Sequence, residues 1–260
     1  MLKCLLLIFS ISPVLLQAQL QLSNNDNKTT KIDMDYFVGV DAFQGCYYIK
    51  NQTLFLTKTG VLQNYANLQL GAISQVEIFN ALKIAVLHRN FNTVVLLDNR
   101  LAEVNIIDFN TLSPMRTVSQ ITYANDNNFW LFNALTFELE LFNYDNKKTL
   151  QTTLPIAEEV IALESDYNNL LALTPTALYH YNYTGSLISK MDHIGLENMV
   201  LWGKHIIALK NNLLYHKTLS DNEFQRLDIP KKTMKQFFVM NQSLYIYDGE
   251  ILHQNQLIKD

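Results

Sequence analysis

The stretch QITYANDNNFWLFNALTFELELFNYDNKKTLQTTL, residues 120–154, contains four short runs of the residue types that favour β-strands. Asn and Asp residues separate the runs, and both are common in turns. Residues 137–141 alternate apolar and acidic side chains, which places the carboxylates on one face of a strand. The fourth run, Thr149–Leu154, is the most polar of the set. This stretch therefore predicts four antiparallel strands joined by short turns, with the outermost strand facing solvent.

The same order of runs returns along the chain. Six apolar runs, each ending in a small or turn-forming residue, begin at Tyr36, Gln75, Gln120, Val160, Asn198 and Gln236. They recur at intervals of roughly 38 to 45 residues, the length of a four-stranded propeller blade. One such sheet cannot bury both faces alone, whereas radial stacking of blades buries them and limits the exposed edges. We therefore predict an all-β fold, a β-propeller of about six four-stranded blades.

The predicted propeller domain covers residues 35–260 and follows a polar, Asn-rich segment, residues 19–34, which is expected to be a flexible lead-in. The last repeat unit is short, so this segment is also a candidate for its missing outermost strand. A β-sandwich or a pair of barrels also contains many short strands, but the constant four-strand order favours the propeller. Gly is scarce, and Asn is expected to replace it in left-handed turns.

The N-terminus has the pattern of a secretory signal peptide over residues 1–18. Lys3 supplies the positive charge, an apolar run follows from Leu5 to Leu16, and Ala18 provides a small residue for cleavage. The run is short for a membrane span, although an uncleaved anchor is the alternative interpretation. Cys4 precedes the apolar run, so it cannot be the lipid-accepting cysteine of a lipoprotein. The sequence thus predicts an exported protein, periplasmic or associated with the outer membrane, with no transmembrane segment in the mature chain.

Composition narrows the classes of function. The net charge is −4 with 17% charged residues, and no basic stripe is present, which argues against a nucleic-acid partner. Cleavage of the signal peptide would leave Cys46 as a single cysteine in a strand, so no internal disulfide can form. We interpret Cys46 as a small apolar residue of the core rather than a nucleophile, since no base or orienting group stands near it in sequence.

Catalytic, cofactor and metal motifs are absent from the sequence, and we assign no catalytic, cofactor-binding or metal-binding residue. The chain has no glycine-rich phosphate loop, no zinc motif and no calcium loop. His180 and His216 each follow a Tyr in a predicted third strand, which favours a structural role. The carboxylates near the ends of first strands are the candidates for a site at the channel mouth: Asp35, Asp41, Glu77, Glu164 and Asp166. They do not share one register, so turn-forming and solvated roles are favoured.

Clustered aromatic residues are the one positive indication of a binding surface. They occur at Tyr47-Tyr48, Phe129-Trp130, Tyr179–Tyr183 and Trp202. Most are expected to pack in the blade cores, because large aromatic side chains are usually buried. Any that line a face of the ring would be effective anchors for a protein partner, since Tyr and Trp are enriched at such sites.

The segment Phe91-Asn-Thr-Val-Val-Leu-Leu-Asp-Asn-Arg100, following the strand Lys83–Leu87, resembles exported β-propeller proteins of Bacteroidota. A looser resemblance is to the propeller scaffold of the outer-membrane β-barrel assembly machinery, which binds its partner through propeller loops and has no catalysis. This chain departs from that family in lacking a lipid-attachment cysteine after the apolar run and the repeated Gly and Trp of its blades. No site residue of the family transfers to a position here.

Together these observations predict a non-enzymatic propeller of the cell envelope, acting as a scaffold or accessory subunit of an outer-membrane assembly or secretion complex. Its expected partners are envelope proteins, and no cofactor is expected. Two alternatives remain open: a hydrolase or lyase that acts at the channel mouth on a sugar or lactone, and a carbohydrate- or peptide-binding module without turnover. Convergence of the candidate carboxylates in one channel would favour the enzyme, and an exposed aromatic patch on one rim would favour the scaffold.

Overall fold

The computed structural model describes residues 20–22, 28–229 and 233–259. These residues form six antiparallel sheets, the blades of a six-bladed β-propeller, which confirms the all-β fold predicted from the repeat. Within those ranges, helix is confined to three single 3₁₀ turns: Leu68–Leu70, Arg89–Phe91 and Phe109–Thr111. None of these is long and apolar enough to cross a membrane. The predicted signal peptide, residues 1–18, lies outside the described residues.

Each blade is ordered from the central channel outwards. Blade 1 contains β3 (Tyr36–Val40), β4 (Cys46–Lys50), β5 (Thr53–Lys58) and β6 (Val61–Tyr65). Blade 2 contains β7 (Gln75–Glu77), β8 (Ile84–His88), β9 (Thr93–Leu97) and β10 (Glu103–Asp108). Blade 3 contains β11 (Val118–Tyr123), β12 (Asn128–Asn133), β13 (Glu138–Asn143) and β14 (Lys148–Thr152).

The second half of the ring follows the same order. Blade 4 contains β15 (Ala162–Ser165), β16 (Asn169–Leu173), β17 (Ala177–Asn182) and β18 (Leu187–Asp192). Blade 5 contains β19 (Asn198–Trp202), β20 (His205–Lys210), β21 (Leu213–Thr218) and β22 (Gln225–Arg226). Blade 6 contains β23 (Gln236–Met240), β24 (Ser243–Tyr247) and β25 (Ile251–Lys259), with β1 (Leu20–Leu22) and β2 (Lys28–Lys31) outside them.

The ring is closed by the two ends of the described chain. Both β1 and β2 pair antiparallel with β25, so that Leu20 lies opposite Lys259 and Lys31 lies opposite Ile251. Leu20 is buried in the apolar cluster shared by blades 5 and 6. β1 and β2, from the segment expected to be a flexible lead-in, thus supply the outer strand of blade 6, because a blade without them would leave the edge of β25 unpaired.

Burial falls from the middle of each blade to its outer edge. All residues of β8, β9, β12 and β24 are buried, whereas β14 and β18 are mostly exposed. The apolar clusters bridge neighbouring blades: Leu87 of blade 2, for example, shares a cluster with Phe129 of blade 3. Each sheet therefore covers the faces of its neighbours, as expected of radially stacked blades.

Asparagine takes the left-handed conformation in several turns, as the scarcity of Gly predicted. Asn51, Asn92, Asn211 and Asn241 have φ values of 50°, 51°, 52° and 48°. Asn51, Asn211 and Asn241 lie in two-residue hairpins between consecutive strands, where the tight turn requires a positive φ. These short turns hold the loops close to the sheets, which gives both faces of the ring a fixed shape.

Candidate functional site: the channel and one face of the ring

Three of the five candidate carboxylates bind the backbone of turns, in agreement with the turn-forming role that the sequence favoured. Asp41 Oδ1 accepts the backbone N–H groups of Phe43 and Gly45, both at 2.8 Å. Asp166 Oδ1 accepts two N–H groups of its own turn at 2.7 Å each. Asp35 Oδ2 accepts the N–H of Asn51 at 2.7 Å. The oxygens of Asp41 and Asp166 stabilise their own turns, as Asx-type turns do, whereas Asp35 stabilises the turn between β4 and β5.

The other two candidates, Glu77 and Glu164, lie within the innermost strands of blades 2 and 4. The two carboxyl groups influence each other's titration, and both influence that of Tyr36 in blade 1. Blades 1, 2 and 4 are not all neighbours, so side chains from these three blades can approach one another only by facing the central channel. The structure thus brings together two of the five predicted carboxylates and adds a phenol that the sequence analysis did not single out.

Neutral groups surround both channel carboxyls. Glu77 Oε1 accepts the amide of Gln75 at 3.0 Å, and Oε2 accepts the hydroxyl of Thr122 in blade 3 at 3.4 Å. The backbone N–H of Tyr123 also donates to Glu77, and that of Leu201 in blade 5 donates to Glu164. Each carboxyl therefore reaches the inner strand of the following blade. No salt bridge reaches either of them within the described ranges.

Burial in the channel raises the pKa of both glutamates. The pKa of Glu164 is raised to about 8, and that of Glu77 is well above its ordinary value, with the charge of Glu164 as the second cause. The phenol of Tyr36 has a raised pKa for the same reasons. Removal from bulk water disfavours the charged carboxylate, and no salt bridge in the described part of the chain offsets that cost. Neutral pH therefore favours the protonated form of Glu164, and burial shifts the pKa of Glu77 in the same direction.

The arrangement can hold a proton or accept a polar guest, but it lacks the parts of a metal centre. Among the described residues, no three His, Cys, Asp or Glu side chains come close enough together to hold a metal ion. The histidines have structural contacts, since His180 Nε2 lies 2.9 Å from the amide oxygen of Asn169. Burial raises the pKa of the Cys46 thiol to about 11, so the group stays protonated and is a poor nucleophile.

The turns between the first and second strands of the blades form one face of the ring, here called the inner-turn face. Phe79 of blade 2 and Tyr167 of blade 4 meet on it, with ring centroids 5.4 Å apart and an edge-to-face geometry. Both side chains are exposed, at 43% and 61%. The pair crosses the turn of blade 3, where the Asn125 amide donates to the Tyr167 carbonyl at 3.3 Å. Phe43 and Leu82 are also exposed on this face.

Most of the aromatic residues singled out in the sequence are core residues. Tyr47, Phe129, Trp130 and Tyr181 are buried, whereas Tyr183 is exposed in a turn of blade 4. The clusters in the sequence lie at strand positions, whereas the exposed rings of the inner-turn face are single aromatic residues in turns, so the clusters did not predict them. The available signal was an aromatic residue inside a turn, as in Asp166-Tyr167-Asn168. Such a side chain has no sheet to cover it and remains in solvent.

Comparison with known proteins finds likeness in three dimensions alone. No family model matches the chain, and no curated protein matches it in sequence. A chain of the mitotic checkpoint complex is 11% identical, with a TM-score of 0.64 and 100% of each chain covered.

Two bacterial propellers are also similar. Virginiamycin B lyase of Staphylococcus aureus, solved with quinupristin, is 11% identical with a TM-score of 0.61, covering 90% of this chain and 100% of that one. PorZ, a surface component of the type-IX secretion system of Porphyromonas gingivalis, is 13% identical with a TM-score of 0.54, covering 85% of this chain and 31% of that one. At these identities the likeness establishes the β-propeller fold, which these proteins use for very different ends.

Proposed function

We propose that this protein is a non-enzymatic propeller of the cell envelope that binds a protein partner through its inner-turn face. It would act as a scaffold or accessory subunit of an outer-membrane assembly or secretion complex. The rigid ring holds the exposed side chains in place before binding, which reduces the entropy lost on association. Affinity would come from a few large apolar anchors surrounded by polar turns.

The Phe79–Tyr167 pair is the observation that carries this proposal. An aromatic ring exposed singly is ordinary on a protein surface, but two rings from different blades that pack edge to face form a joined apolar surface. Aromatic residues are enriched among the side chains that contribute most to protein–protein affinity. The remaining exposed apolar residues of the face, Phe43 and Leu82, extend the surface towards blades 1 and 2.

The envelope location rests on the signal-peptide pattern of residues 1–18. The bacterial propeller PorZ, a component of a secretion system, is an example of the fold in such a setting. The low charge of the chain fits a protein partner better than nucleic acid or an anionic membrane surface.

Affinity capture from detergent-solubilised envelopes of the source cell tests the proposal. The tagged full chain is expected to retain a stoichiometric partner, and the double variant Phe79→Ser/Tyr167→Ser is expected to lose it. Leu154→Ser is the matched control, since Leu154 is 87% exposed in a connection between blades on the opposite face. Recovery of the wild-type protein alone, or equal capture by the double variant, would contradict the proposal.

A second candidate function has a specific observation in its favour. Two protonatable carboxyls and a phenol in the channel lie near enough to influence one another's titration, and virginiamycin B lyase has a similar fold. A carboxyl with a raised pKa is suited to general acid–base catalysis near neutral pH. Incubation with quinupristin, followed by mass spectrometry, tests this candidate: cleavage that Glu77→Gln and Glu164→Gln abolish would support a lyase, and an intact antibiotic would speak against it.

A further inference from the structure

The inner-turn face contains a cavity of about 180 Å³ between blades 1 and 2. Its lining is mainly apolar, with Phe43, Leu56, Ala81 and Leu82 beside Tyr47, and it also includes the polar side chains of Asp41, Lys58 and Asn99. Phe43 and Leu82 form the outer part of the walls and are exposed, whereas Leu56 and Tyr47 are buried in the blade. The cavity therefore leads from an exposed apolar rim to a buried floor.

The polar atoms at the floor are already satisfied. The Tyr47 hydroxyl donates to Asp41 Oδ2 at 3.1 Å, while Asp41 Oδ1 accepts two backbone N–H groups. A guest therefore does not need to bring a hydrogen-bond donor to the base of the cavity. An apolar guest loses nothing there, and it removes the exposed surfaces of Phe43 and Leu82 from water, which favours binding.

The volume selects the size of the guest. Apolar cavities of about 150 Å³ hold a benzene molecule, whereas sites for drug-sized ligands occupy about 300–1,000 Å³. A cavity of about 180 Å³ therefore accommodates one large side chain, such as Leu, Met or Phe, rather than a small-molecule substrate. A side chain of this kind reaches the site as part of a polypeptide.

The charge at the rim indicates what flanks that side chain. Lys58 lines the cavity, and its Nζ lies 4.8 Å from the centre of the Phe43 ring. No salt bridge neutralises Lys58 within the described part of the chain. A carboxylate on the partner would find this ammonium group beside the apolar rim, and complementary charge at a rim adds specificity and speeds association.

We infer that the cavity receives one large apolar side chain of a partner protein, which is flanked in its own sequence by an acidic residue that contacts Lys58. The inference rests on the proposed function and names the chemistry of the partner at that face. The Phe79–Tyr167 pair would contact a second part of the same partner, further across the face.

Selection from a displayed library of random nine-residue peptides tests the inference without the natural partner. The immobilised full-length protein is expected to enrich peptides that carry Leu, Met or Phe next to Asp or Glu. Enrichment of basic peptides, or of none, would overturn the inference. Because the selection does not depend on an envelope extract, a failed capture with a successful selection would count against the proposed function and leave the cavity's preference standing.

Variants then assign the binding to the cavity. Ala81→Trp places a large ring in the cavity, and Lys58→Glu reverses the charge at its rim. Both are expected to weaken binding of an enriched, fluorescently labelled peptide at least about tenfold, while Lys58→Arg retains most of it. Thermal unfolding checks that each variant is folded. Unchanged binding by a folded Ala81→Trp variant would show that the peptides bind elsewhere and would overturn the inference.

Discussion

Two regions of this protein place glutamate side chains in opposite environments: blade 3 and the central channel. In blade 3, Glu140 is buried. Its carboxylate accepts hydrogen bonds from Arg116 Nε at 3.2 Å, Thr149 Oγ1 at 2.6 Å and Asn133 Nδ2 at 2.8 Å. In the channel, Glu77 and Glu164 have neutral donors, each other's charge and no salt bridge in the described ranges. The first region holds a carboxylate with a cationic partner, whereas burial in the second disfavours the charged form of both carboxyls.

The difference separates a structural role from an available one. Arg116 precedes β11, and its carbonyl accepts the Asn92 amide of blade 2 at 2.7 Å, so the Glu140 network joins two blades. Every oxygen of Glu140 is occupied, and a ligand has no access to it. The channel carboxyls face a lumen and keep capacity for a proton or a polar guest. A buried acid paired with an arginine therefore indicates a structural role, whereas a buried acid without a cation is a candidate for binding a proton or a ligand.

Breaking the blade 3 pair is expected to have the largest effect. Arg116→Met leaves Glu140 buried without its cation, and the loss of one partner of a buried pair costs about 3–5 kcal/mol. Urea denaturation at pH 7 measures this loss in the free energy of unfolding. Lys190→Met is the control, because its ion pair with Asp192 is exposed and its removal is expected to change stability very little. A loss no larger than the control's would show that the network is not structural.

Replacing a channel acid is expected to have the opposite sign. The pKa of Glu164 in the folded protein is raised above its unfolded value. The contribution of this carboxyl to the free energy of unfolding is therefore fully present below about pH 4 and is lost as the pH rises to about 8. Glu164→Gln mimics the protonated form and should gain about 1 kcal/mol at pH 8.5, or about 2–4 °C in Tm, with no gain at pH 4. This figure is below the full pKa shift because the Glu164 side chain is only half-buried and solvent screens part of its charge.

Thermal unfolding of Glu164→Gln at the two pH values checks this sign. Glu159→Gln removes one carboxylate from the exposed surface and serves as the matched control. A Tm difference that is the same at both pH values, or a loss at pH 8.5, would contradict a raised pKa in the channel.

The smallest expected effect is the coupling between the two channel acids. When Glu77→Gln removes one carboxyl, the other no longer faces a like charge and its own pKa falls. The gain from the double variant at pH 8.5 should therefore be smaller than the sum of the single gains. A double-mutant cycle of unfolding free energies measures the difference, and strict additivity would place the two carboxyls too far apart to interact.

The fold was predictable because its information is local and repeated. Each blade has apolar middle strands, a polar outer strand and turn residues between them, so six copies of a weak pattern reinforce one another. The closure of the ring could also be predicted, because the last repeat unit lacked a strand and residues 19–34 were a candidate to supply it. The strand assignment of Leu20–Leu22 and Lys28–Lys31 depends on pairing with the far end of the chain, which no local pattern reveals.

The site was less predictable because it depends on contacts between blades. In sequence, Asp41 and Glu164 both stand near the end of a first strand, yet one lies beyond the strand and forms a turn while the other stays inside it and faces the channel. A shift of one or two residues along the chain decides whether the carboxylate forms a turn or faces the channel. The meeting of Phe79 and Tyr167 depends further on the turn of the intervening blade 3, which neither residue's neighbours encode.

The most direct test of the account compares the face with the channel in a single capture experiment. Tagged wild-type protein, Phe79→Ser/Tyr167→Ser and Glu77→Gln/Glu164→Gln are used in parallel on solubilised envelopes, and the bound partner is quantified by mass spectrometry. The account predicts that the face variant loses the partner and that the channel variant retains it at the wild-type level. Retention by the face variant together with loss by the channel variant would contradict the account and place the working site of this propeller in its channel.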